Sequence, residues 1–73
     1  MGEERHLRKR SFQLAGHRTS VALEAEFWAV LEAVAARQER SLAALVTEVD
    51  AARAGTERPL ASALRVFALT RKP

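Results

Sequence analysis

Between His17 and Leu23 the chain alternates: Thr19, Val21 and Leu23 fall on one side of an extended backbone, and Arg18, Ser20 and Ala22 on the other. The pattern predicts a strand, and a lone strand needs a partner for its backbone donors and acceptors. Upstream, SFQLA alternates more weakly through Phe12 and Leu14, and Gly16 then interrupts. A hairpin turning at Ala15-Gly16 is one reading of residues 11–16, although Ala-Gly is a weak two-residue turn pair. The other reading leaves those residues free and takes the partner strand from a second copy of the chain.

From Glu24 the period changes from two to about 3.6. Phe27, Leu31 and Val34 recur at i, i+4 and i+7, widened by Trp28, Val30 and Ala35, which predicts a helix over 24–38. Glu24 and Glu26 suit its positive end, and Arg37 and Arg40 its negative end. Ser41 is a good N-cap for a second helix over 42–54, with Leu42, Leu45, Val46 and Val49 on its apolar face and Gly55 as its stop. Pro59 suits the start of a short third helix, in which Leu60, Ala63, Leu64 and Phe67 share a face that ends near Leu69. Residues 1–10, charged and without a period, read as a disordered basic arm.

Seventy-three residues make one thin domain, of a size that is marginal unless stapled or oligomeric. There is no cysteine, so disulfides and thiolate metal sites are excluded, and a reducing cytoplasm fits. No apolar run approaches the ~18–20 residues that cross a bilayer, and MGEERHLRKRSF lacks the apolar core of a secretory signal. Second copies are then the expected source of extra core. Charge is unevenly spread: +3 over residues 1–20, −4 over 21–57 and +4 over 58–73. Basic ends around an acidic middle suggest an anionic partner met by the termini. His6 and His17 are the only histidines, so no metal site is expected, and no serine sits with a base as a nucleophile would need. Neither an enzyme nor a cofactor is expected.

A strand, two helices joined by a tight turn and a basic lead-in: HRTSVALEAEFWAVLEAVAARQERSLAALVTEVD resembles the ribbon-helix-helix family of DNA-binding proteins, in a bacterial branch with a GHRTS-like strand. The resemblance covers residues 16–54, with ERSLAALV as its second anchor. It implies a mostly α fold with one N-terminal strand, in which two copies pair their strands antiparallel into an intermolecular ribbon and interlock their helices. Val21, Leu23, Phe27, Trp28, Leu31, Val34, Leu45, Val46 and Val49 would form the dimer core. Carried over by position, Arg18, Ser20 and Ala22 would face the bases. Arg18 suits a fork to guanine, Ser20 reads with less selectivity, and Ala22 departs from the polar residue usual at that position. Ser41 and Leu42 fall where the family offers a helix N-terminus to phosphate, with Arg40 adjacent. The turn at Gln38-Glu39 lacks the glycine often found there, so either Glu39 takes a costly conformation or the helix ends differently. Lys9 and Arg10 read as a phosphate-tracking arm.

The chain thus divides into an arm (1–10), a dimerisation and DNA-binding domain (11–57) and a C-terminal helix with a basic tail (58–73). The implied function is sequence-specific binding of double-stranded DNA by a homodimer, as a transcriptional repressor or autoregulator. Two alternatives stand beside it. One is a dimeric adaptor or antitoxin-like protein whose segment ERPLASALRVFALT docks on a protein partner. The other is a monomeric three-helix helix-turn-helix domain, which leaves HRTSVAL without a pairing partner unless SFQLA supplies one.

Overall fold

Two extended segments, not one, precede the helices. The computed structural model describes residues 6–71 and contains, in chain order, β1 (Leu7–Leu14), β2 (His17–Glu24), α1 (Ala25–Arg37), α2 (Leu42–Ala52) and α3 (Leu60–Arg71). β1 pairs antiparallel with β2 of the same chain in an unbroken register that runs from Leu7 opposite Glu24 to Leu14 opposite His17. The turn between them is the two residues Ala15 and Gly16, both at positive φ (50° and 83°). That is the conformation whose twist suits a two-residue hairpin. Glycine adopts it freely, whereas Ala15 bears a steric cost.

Two expectations are corrected here. The HRTSVAL strand finds a mate within the chain along one edge, and its other edge in the two-stranded sheet stays open. Residues 7–10, expected in a disordered arm, are the first half of β1. Their charges hid an alternation. Arg8 and Arg10 share the helix-facing side of the ribbon with Phe12 and Leu14, because their cross-strand partners are Leu23 and Val21. The guanidinium of Arg10 lies 5.0 Å from the Trp28 ring centre and pairs with Glu32 on α1. Its stem therefore covers an aromatic face while its charge stays wet. The Trp28 indole N–H donates to the Arg8 carbonyl at 2.8 Å, and its ring tilts against Phe12 at 5.9 Å. The parts of the arm and tail at residues 1–5 and 72–73 lie outside the described residues.

The core lies between the inner face of the ribbon and the helices. It is built from Phe12, Leu14, Val21 and Leu23, from Trp28, Leu31, Val34 and Ala35, from Leu45, Val46 and Val49, and from Leu60, Leu64 and Ala68. Phe27 is partly buried against it. The residues expected in a dimer core are thus already packed inside one chain. Each fully buried Leu contributes about 1.5–3 kcal/mol relative to exposure. α3 enters the same core through Leu64, so no break in packing follows residue 57.

The helix ends follow their sequence signals closely. Glu24 closes β2 and is the N-cap residue of α1, without a side-chain cap bond, which leaves Glu26 as the acid of the first turn. At the other end Arg40 N–H donates to Ala35 O and Glu39 N–H to Ala36 O, both at 3.0 Å. This double closure is the Schellman arrangement, and it drives Glu39 to φ 58°. The missing glycine is therefore met by strain, at a cost of about 1–2 kcal/mol. The Ser41 hydroxyl caps α2 by accepting from Ala44 N–H at 3.0 Å. α2 stops at Ala52, two residues short of expectation, and Gly55 takes φ 88° just beyond. Pro59 precedes α3 and its carbonyl accepts from Ala63 N–H, while the helix continues to Arg71.

Leu64→Ala is expected to cost about 2–5 kcal/mol in chemical denaturation. The exposed Leu69→Ala on the same helix should change stability by less than about 0.5 kcal/mol. Ala15→Asn, which tolerates positive φ, should raise stability by up to about 1 kcal/mol; a fall in melting temperature would contradict the turn geometry.

Candidate nucleic-acid interface

The ribbon has one buried face, so the register fixes what the other face presents. Outward lie four cross-strand pairs: Leu7 opposite Glu24, Lys9 opposite Ala22, Ser11 opposite Ser20, and Gln13 opposite Arg18. Lys9, Ser11, Gln13, Arg18 and Ser20 are exposed, and Ala22 is half-buried. The two serine hydroxyls are 3.1 Å apart and bond to each other. Lys9, Gln13 and Arg18 make no side-chain hydrogen bond or ion pair with another described residue. The face is therefore a strip of donors with two positive charges. Same-face residues on a strand repeat every ~6.6–6.8 Å, so Lys9 to Gln13 spans about 13 Å. Strands ~4.8 Å apart, with their side chains, fit a major groove ~12 Å wide.

Acid is kept off this strip. The outward acid is Glu24, at the end of β2 remote from the turn, and it is held at 2.9 Å by Arg65 of α3. That guanidinium, with a backbone N–H bond, keeps the half-exposed Glu24 carboxyl below its ordinary value of 4.5. Arg65 also lies 5.8 Å from the Phe27 ring centre, so one side chain ties α3 both to the ribbon's end and to α1.

The structure gathers Arg18, Ser20, Ala22 and Lys9 on one face. Arg10 is not among them; it sits on the helix side against Trp28 and Glu32. Arg40, Ser41 and Leu42 form a separate place at the α1–α2 turn, where Arg40 pairs with Glu48 and the Ser41 oxygen is engaged as a cap. Trp28, 2% exposed, cannot stack on a base. His17 is exposed beside the hairpin turn, and among the described residues no group of three His, Asp or Glu could hold a metal. No described helix is long and apolar enough to cross a membrane. Ser11 and Gln13 were missed as candidates from sequence. Their signal was present in SFQLA: if Phe12 and Leu14 point inward, Ser11 and Gln13 point outward.

The family model for the ribbon-helix-helix domain matches residues 7–71, nearly the whole chain. The chain belongs to the ribbon-helix-helix family. No curated protein and no solved structure gave a significant match. The ribbon-helix-helix fold is one of DNA binding and transcription regulation, not of catalysis. The match begins with β1 and ends with α3, the two elements outside the segment that carried the resemblance in sequence.

The Glu24–Arg65 pair gives a pH signature. Because the folded-state pKa is depressed, its contribution is present above the unfolded value and is lost as pH falls from 4.5 through the lower folded value. Thermal melts from pH 7 to 3 should show a constant gap between the parent and Glu24→Gln at neutral pH. The gap should close below pH 4.5; a gap that widens in acid would contradict the pairing.

Proposed function

We propose that this ribbon-helix-helix chain binds double-stranded DNA sequence-specifically, as a cytoplasmic homodimer that represses transcription, its own included, with the outer face of the β-ribbon in the major groove. The observation that carries the reading is the open strip of Lys9, Ser11, Gln13, Arg18 and Ser20 on a ribbon whose other face is buried. Arg18 supplies a bidentate donor for guanine O6 and N7, Ser20 a less selective hydroxyl, and Ala22 at most a contact to a thymine methyl. Lys9 contributes charge. The first amides of α2, at Leu42 beside Ser41, offer a second, phosphate-positioning contact. Arg40 joins it if it is released from Glu48, whereas Arg10 would have to leave Trp28 to do so.

Support for the homodimer is the family's habit of dimerising and the open edge that each strand of a two-stranded sheet retains. A protein partner at α3 is the second reading, favoured by Val66 and Leu69, which are 42% and 61% exposed. It has less room than the sequence suggested, because Leu60, Leu64 and Ala68 are spent on the chain's own core.

Affinity for duplex DNA, measured by gel shift at several salt concentrations, should fall linearly on logarithmic axes. Lys9→Ala should weaken binding to all sequences alike and flatten the slope by about 1. Arg18→Ala should leave stability unchanged and remove about 1–3 kcal/mol of discrimination at one guanine. Unaltered preference in Arg18→Ala would mean that the reading face has been misassigned. A solution mass equal to one chain across dilution would remove the homodimer and leave the ribbon contact to stand or fall separately.

A further inference from the structure

We infer, resting on the ribbon reading above, that β1 is a second reading strand, that Gln13 recognises adenine beside the guanine read by Arg18, and that each chain by itself reads an asymmetric element. A ribbon made of the same strand from two chains presents identical side chains about a two-fold axis. This ribbon does not. Its two strands, LRKRSFQL and HRTSVALE, match at the middle level, Ser11 opposite Ser20, and differ at the levels on either side, Gln13 opposite Arg18 and Lys9 opposite Ala22.

The levels differ in what they can discriminate. At the turn end Gln13 stands directly opposite Arg18, and both side chains are exposed and unpaired among the described residues. Directly opposed side chains leave the backbone ~4.5–5.5 Å apart, against a base-pair rise of ~3.4 Å. An amide and a guanidinium so placed reach base pairs one or two steps apart. A Gln amide matches the adenine N6 and N7 edge, as the Arg fork matches guanine O6 and N7. In the middle Ser11 and Ser20 bond to each other, so their hydroxyls are partly spent. At the far end Lys9 faces Ala22, a charge beside a methyl, with little capacity to tell one base from another. Selectivity is therefore concentrated at the turn end and fades toward α1.

The test is selection from a randomised duplex pool with the full chain, its Gln13→Ala, Gln13→Glu and Arg18→Ala variants, each checked for parent-like circular dichroism. The parent should enrich an element with a guanine and an adenine one or two base pairs apart. Gln13→Ala should relax the adenine alone, by at least about fivefold, and Arg18→Ala the guanine alone. Gln13→Glu should move the preference at the adenine position toward cytosine, whose N4 amino group donates to a carboxylate. A parent that binds specifically while Gln13→Ala selects the same element with unchanged affinity overturns the inference and leaves the ribbon reading intact. A parent that enriches no element overturns both.

Discussion

Backbone pairing between β1 and β2 is the constraint on which the remaining structure depends. A strand's amides and carbonyls cannot be buried without partners, and the helices can cover Val21 and Leu23 only if the chain that carries them is already satisfied along one edge. The hairpin meets that condition from inside the chain. It also doubles the apolar contribution of the ribbon, since Phe12 and Leu14 join Val21 and Leu23 on the inner face. For a chain of 73 residues without a disulfide that second strand is a substantial share of the interior.

The helices are tied to the end of the ribbon remote from the turn by groups that bridge elements. Trp28 fills the core from α1 and fixes β1 through the Arg8 carbonyl, while Arg10 closes over its ring. At the end of β2, Glu24 does not cap the helix it begins and instead holds Arg65 of α3. On the outward face Lys9, Gln13 and Arg18 are left without a side-chain partner among the described residues. That division of labour lets Gln13, Arg18 and Lys9 vary with little consequence for folding, as a recognition surface requires.

The helices were legible in the sequence because apolar spacing, the Ser41 cap and the glycine and proline stops each speak locally. Even the strained Glu39 was visible, as a glycine missing from a tight turn. β1 was less legible. Over LRKRSFQL the inward positions alternate arginine with phenylalanine and leucine, and an arginine scores as polar although its stem can cover an indole. The turn hid as well, since Ala15 takes a conformation that its residue type disfavours and only the surrounding ladder imposes. Half of the outward strip was lost with β1: Arg18, Ser20 and Ala22 could be read from HRTSVAL, whereas Ser11 and Gln13 could be read only by taking the weak alternation of SFQLA as a strand. Arg10 was misjudged for the same reason, as an arm residue has no face and a strand residue has one.

The two-residue turn at Ala15-Gly16 has a consequence for how such a protein would respond to its own scarcity. A ribbon assembled from two subunits melts away on dilution, because its second strand departs with the partner. A ribbon closed by a covalent loop keeps both strands at any abundance, with the tip side chains mounted on a scaffold that is ordered before any duplex arrives. If the ribbon reads DNA as proposed, recognition by one chain is uncoupled from assembly, and a cell holding only a few copies would retain the ribbon's outer face even when the copies are apart.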